Sequence, residues 1–519
     1  MADCTFGAGG STICSRGAAV RVSEYYNLGR NQGSLDFVDV DTVNDLRAYV
    51  DPSAIRYLQD DWGMDCMRML TTFFDSVLDS VKLGDKRRVS ALLSRLSEPN
   101  ETHLGISQGK SAGRGFGRQM GQDFAEKLAE SEAAKSGLIE DLEDTAFFIG
   151  GVDKDIVSDV TTNIIRGPLI VYTQQMAHMF DIDLEDGVDS GPVWNPDTLE
   201  WEHDFTSLPM PDGEKLLLVP KAIVRRDMHM SRGEYYRHHL APVLQSEVAG
   251  GAARSLLDAV RSGSKKPPNS YPTKKEIGYM FGSTKPDITR ETLKRPGVYE
   301  HYRGLKKQIR PAPLGHADMA ELAESATPDF DALLNSVLQV PTGFEAANRY
   351  HKATEALLTA LFYPSLIMPE MEEELHDGRK RVDISYTNNA KEGFFTFLVS
   401  HKIPSKYVFV ECKNYGSDVK NPELDQLSSR FSPLRGKFGI LACRRFQDKD
   451  LFLRRCRDTA QDRRGFVIPL DDEDLKALIG DALYALNWEP ADPAPDEPEV
   501  PPKLSDFPLL HRRLKYLHS

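Results

Sequence analysis

Apolar residues recur at every third or fourth position through "SAIRYLQDDWGMDCMRMLTTFFDSVLDSV" and again through "KRRVSALLSRLSE", the spacing of helices with one buried face. "RQMGQDFAEKLAESEAA" and "DKDIVSDVTTNIIRGPLIVYTQQMAHMF" continue the pattern, so residues 1–180 read as a mostly helical N-terminal domain. From Asp181 the rhythm breaks. Pro, Gly and Asp punctuate a short β-like run, Lys215 to Val224, and residues 261–315 are rich in Lys, Pro, Ser and Gly, which predicts an irregular α+β middle domain and connector over 181–342. Near Gly343 a compact alternation begins: helix "FEAANRYHKATEALLTALFY", strands "SLIMPEMEEEL" and "KRVDISYT", strand "KYVFVECKN", helix "PELDQLSSRF", then "KFGILACR", "GFVIPL" and "DDEDLKALI". That order predicts an α/β domain with a mixed central sheet over 343–485. Residues 486–519 read as a Pro-rich linker and a basic tail.

Composition narrows the class. A chain of 519 residues with 40% hydrophobic and 27% charged residues is long enough for several cores, and the reading is a multidomain protein of the cytoplasm. No apolar stretch is long enough to span a bilayer, the first residues lack a signal-peptide pattern, and no membrane role is expected. Six scattered cysteines, without CxxC pairs, predict reduced thiols. The net charge of -14 speaks against coating nucleic acid by bulk charge but leaves room for a local groove.

The chemistry concentrates on two strands. "VFVECKN" ends an apolar run with Glu411 and Lys413 on one face, because strand side chains alternate. "RVDISY" carries Asp383 between Val382 and Ile384. If these strands are neighbours, two carboxylates and an ammonium meet at one rim of the sheet, where a hard cation such as Mg²⁺ would relieve the repulsion. Such a centre suits phosphodiester hydrolysis.

These segments, with "PELDQLSSRF", resemble the PD-(D/E)XK phosphodiesterase superfamily, the restriction-endonuclease-like fold, over roughly residues 343–480. The resemblance implies that Asp383 and Glu411 bind Mg²⁺, with Mn²⁺ as a substitute, and that Lys413 assists the attacking water. It further implies roles for Gln426 on the following helix and for Glu355 on the first helix as a further ligand. The interval "TNNAKEGFFTFLVSHKIPSK" exceeds a hairpin turn, so it must hold an insertion, for which a short helix is the expectation.

Between Arg430 and Arg464 eleven basic residues face four acidic ones, a local charge of +7 that would contact phosphates. Arg444 and Arg445 there, with Arg379, Lys380 and Arg381 ahead of Asp383, are the expected nucleic-acid contacts. The Gly105 to Gly117 loop departs from the Walker spacing and follows a helix, so an ATPase is rejected, although Lys110, Arg114 and Arg118 suit an anion. "DIDLEDGVDSG" fails the calcium-loop spacing, and "RHH" at Arg237 to His239 lacks a metal-binding pattern. The expectation is a Mg²⁺-dependent endonuclease cutting DNA, with defence against phage or foreign DNA as the family-level analogy. Its N-terminal region would serve as sensor or targeting module for an activating ligand or partner, and a homo-oligomer would match the symmetry of a duplex. The alternative is a non-cleaving nucleic-acid-binding or scaffold protein on the same fold.

Overall fold

The runs Val408–Val410, Phe438–Ala442 and Val467–Leu470 are apolar without alternation, which marks strands covered on both faces. The computed structural model describes residues 20–105, 114–262, 271–375, 380–488 and 501–519. In the C-terminal unit the elements are α1 (Ala347–Phe362), β1 (Leu366–Leu375), β2 (Lys380–Asn388), α2 (Gly393–Ser400), β3 (Tyr407–Lys413) and α3 (Asn421–Ser428). They are followed by β4 (Phe438–Cys443), α4 (Lys449–Gln461), β5 (Phe466–Leu470), α5 (Asp472–Leu486) and α6 (Pro508–His518). The five strands lie in sequence order; β1–β2 and β2–β3 pair antiparallel, β3–β4 and β4–β5 parallel. The mixed sheet therefore exists, and β2 and β3 are neighbours despite the interval between them, which holds α2 as its short helix.

About 54% of the described residues are helical. One hydrophobic core runs from Val22 to Met319 and takes in Tyr363 and Ile367, and a second runs from Phe330 to Leu517. The first core crosses residue 180 without a break, so the helical N-terminal and middle regions pack as one body. Within it Glu185–Asn195 and Glu200–Leu208 form an antiparallel ribbon, and Val224–Arg225 pairs with Tyr49–Val50. Where composition suggested a connector, residues 274–338 form five helices, Lys274–Phe281, Lys285–Leu293, Pro296–Gln308, His316–Leu322 and Phe330–Leu338. The reason is local: Thr273 with Glu276 and Thr284 with Asp287 make capping boxes, and Pro286 and Pro296 sit in first turns, where a missing N–H costs nothing.

The tail also differs from expectation. Its leucines Leu510, Leu514 and Leu517 are buried in the second core, so α6 is a structural helix with Arg512 and Lys515 turned outward. Helix Phe330–Leu338 joins the same core from the other end, through Phe330, Leu334 and Val337.

The two bodies meet along α1, β1 and β2. Tyr363 and Ile367 belong to the first core, with Met368 and Met371 packed against it. Asp36 accepts the Met368 amide at 2.9 Å and the Tyr172 hydroxyl at 2.7 Å, and Asp60 accepts the Thr387 hydroxyl at 3.0 Å.

Candidate metal centre

Strands β2 and β3 pair from Thr387↔Tyr407 to Ile384↔Val410, and the ladder stops there. Beyond that point β2 stays with β1 as far as Leu375↔Lys380, and β3 stays with β4 as far as Lys413↔Cys443. The sheet thus forks where the register would set Asp383 opposite Glu411. The Cys412 amide, released from the ladder, donates instead to Asp383 Oδ2 at 2.7 Å. An unpaired buried amide is costly, so this bond holds the Asp383 carboxylate in the crotch of the fork.

Alternation puts Phe409, Glu411 and Lys413 on the α3 side, where the Phe409 ring stacks on Phe431 with centroids 6.2 Å apart. Gly465, at φ +120, makes room for Phe431, because a Cβ there would come within 2.2 Å of that ring. Tyr386 and Cys412 face the other side, toward α1, and Cys412 is buried as core packing.

Glu411 is fully buried. Its Oε1 accepts the Lys413 ammonium at 2.5 Å, while its Oε2 is buried without a hydrogen-bond partner. Burial, and then the neighbouring Asp383 charge, push the Glu411 carboxyl up to about 7 against the opposing pull of Lys413. Burial also works against the Lys413 ammonium, but the Glu411 carboxylate outweighs it and raises that group. An orphaned carboxylate oxygen beside a second carboxylate is the donor set that a divalent cation satisfies, so the residues fit Mg²⁺ held by two carboxylates. Among the described residues no group of three or more His, Cys, Asp or Glu gathers to hold an ion, so the centre rests on that pair.

The other expected residues divide. Gln426 is half-buried on α3. Glu355 is drawn away from the pair: Arg30 of the first core lies 2.6 Å from its Oε2, and the Thr359 hydroxyl donates to its Oε1 at 2.7 Å. Arg444 is a clamp rather than a free surface contact. It meets Asp472 at 3.0 Å and donates to the carbonyls of Val340 at 2.5 Å and Leu338 at 2.9 Å. Arg381 pairs with Glu372 at 3.0 Å, and Arg445 is exposed. Arg379, the side chain of Lys380 and the Lys110 loop lie outside the described residues, as do the side chains of Arg114 and Arg118.

One residue near the centre escaped the sequence reading, and a second was read there only as part of the basic patch. His351 brings Nε2 to 3.9 Å from Asp383, and the Arg430 charge acts to lower the Glu411 carboxyl. His351 lies four residues before Glu355 on α1, so helical spacing could have found it, whereas Arg430 lies beyond the end of α3.

The raised carboxyl gives a pH signature. Between its ordinary value of 4.5 and about 7, the folded chain keeps a proton on Glu411 that the unfolded chain releases, so stability falls as pH rises through that window. Glu411→Gln carries no such proton. In EDTA, the stability difference between Glu411→Gln and the parent chain is expected to move by about 2 to 3 kcal/mol in favour of glutamine across it. Denaturant unfolding at the two ends of the window measures this, and parallel profiles would refute it.

A split mixed sheet with a buried two-carboxylate centre and an adjacent lysine is what the fold and the side chains define. A family model described as a domain of unknown function (DUF8370) matches residues 27–231. That segment contains Arg30, Asp36 and Asp60 and ends before the C-terminal unit. No curated protein and no solved structure matches the chain.

Proposed function

We propose that the chain is a divalent-metal-dependent endonuclease of the PD-(D/E)XK type that hydrolyses phosphodiester bonds in DNA. The observation that carries this reading is the fork, where Asp383 and Glu411 converge with Lys413 and one buried carboxylate oxygen is left without a partner. Asp383 and Glu411 would hold Mg²⁺ or Mn²⁺. A bound ion supplies Lewis acidity at a phosphoryl oxygen. Lys413 orients the attacking water and offsets the charge that develops on the phosphate, and Arg430 adds positive potential on the same side. Exposed Arg445, Arg454 and Arg463 extend that potential as phosphate contacts.

The reading extends to defence against phage or foreign DNA, with the first body as sensor. Its support is the arrangement itself: a separate core, docked on the strand that bears Asp383. Among the described residues no helix is long and apolar enough to cross a membrane.

The test is plasmid cleavage by the full chain in Mg²⁺, Mn²⁺ or EDTA, across duplex, single-stranded and RNA substrates, with and without phage lysate. Cleavage that needs the metal and prefers DNA is expected; cleavage that persists in EDTA would sink the proposal. Glu355 is committed to Arg30, which leaves two acidic ligands and favours one second reading, a nucleic-acid-binding or scaffold protein that does not cut. DNA binding that survives in EDTA, with no cleavage of any substrate, would be its signature.

A further inference from the structure

The charge that compensates buried Glu355 comes from the other body. Arg30, with 10% of its side chain exposed, donates to the Lys352 carbonyl at 3.0 Å and the Ser34 carbonyl at 3.3 Å as it meets Glu355, and its guanidinium lies 4.9 Å from the Phe180 ring centroid. The Thr359 hydroxyl, which holds the second Glu355 oxygen, lies 3.0 Å from Tyr386 on β2. One turn earlier on α1, His351 faces Asp383.

These contacts sort by limb of the fork. Arg30 reaches α1, Asp36 reaches β1 at Met368, and Asp60 reaches β2 at Thr387, so the first body grips the limb that carries Asp383. Both limbs are packed into the second core, that of Asp383 through Val382, Ile384 and Tyr386 and that of Glu411 and Lys413 through Val408, Val410 and Cys412, and the latter is paired with β4. The first body meets β3 at the end remote from Glu411, where Lys406 pairs with Asp61 at 2.9 Å. The contacts of Arg30, Asp36 and Asp60 thus fall on the Asp383 limb, where a shift of the first body would move one carboxylate against the other.

We propose that Arg30 is a positioning residue for the Asp383–Glu411 centre: through Glu355 and α1 it lets the N-terminal body set the metal-binding geometry. The proposal rests on the metal-centre reading, and the experiment separates the two. Mn²⁺ affinity without DNA, kcat and KM for plasmid cleavage, and melting temperature are measured on the full chain for the parent, Arg30→Lys, Arg30→Gln, Glu355→Gln, the Arg30→Gln/Glu355→Gln double variant and Asp383→Asn.

Arg30→Gln is expected to weaken Mn²⁺ binding and lower kcat on the order of tenfold to a hundredfold, with KM little changed, and Arg30→Lys to recover part of the loss. Glu355→Gln and the double variant should share that loss without adding to it, although the double variant, with no unpaired buried charge, melts like the parent. A double variant that binds Mn²⁺ and cuts like the parent would reduce Arg30 to a structural counter-charge and overturn the proposal; additive losses would overturn it equally. Mn²⁺ binding unchanged in Asp383→Asn would overturn the metal centre itself, whatever Arg30 does.

Discussion

Lys413→Ala is expected to slow Mg²⁺-dependent cleavage by about 10² to 10³-fold, the usual cost of removing one preorganised charge-stabilising group from a water-poor site. The ammonium is well placed for this: it is held 2.5 Å from Glu411, its side chain is 11% exposed, and Glu411 keeps it charged. Asp383→Asn acts differently, because it removes a ligand and the acceptor that holds the Cys412 amide. Its cleavage should fall to the level seen in EDTA. Single-turnover rates at saturating metal, with circular dichroism to show that each variant folds, distinguish the two. A Lys413→Ala chain that cuts at the parental rate removes lysine from the chemistry.

The second large effect is on stability. Leu514→Ala is expected to cost about 2 to 5 kcal/mol, the range for emptying a fully buried leucine site. Leu514 is 1% exposed, and α6 is tied down along its length. Phe507 meets Phe362 with centroids 5.1 Å apart, His511 meets Phe397 at 4.9 Å, Arg513 pairs with Asp474 at 3.1 Å, and Arg457 lies 5.2 Å from the Tyr516 ring. Removal of residues 501–519 strips Phe507, Leu510, Leu514 and Leu517 from the core at once, and the C-terminal unit should lose cooperative unfolding altogether. Denaturant unfolding and limited proteolysis would show it. A truncated chain that melts like the parent contradicts the packing.

These two predictions also mark how far the sequence could be read. The strands were legible because their apolar runs are long, and Asp383, Glu411 and Lys413 stood out as charges ending those runs. Period two placed Glu411 and Lys413 on one face, and β2 and β3 do pair. The tail was not legible because its basic residues masked Leu510, Leu514 and Leu517, although their spacing of four and three is helical. The Thr-x-x-Glu box at Thr273 was a comparable signal, overlooked beneath a Lys- and Pro-rich composition. Arg444 shows a limit of another kind: its acceptors are main-chain carbonyls, which every residue possesses, so no pattern in the chain announces the clamp. Likewise nothing near Glu355 in the sequence names Arg30, since only the docking of two cores brings them together.

The place of α6 in the second core has a consequence for biosynthesis. The elements that frame Asp383 and Glu411 leave the ribosome before the helix that closes their hydrophobic core. Domains generally fold as units, so the two limbs of the fork are expected to settle against each other only after α6 has been made. If the proposed cleavage of DNA holds, that order of emergence would keep the centre unassembled until the whole C-terminal unit has been made.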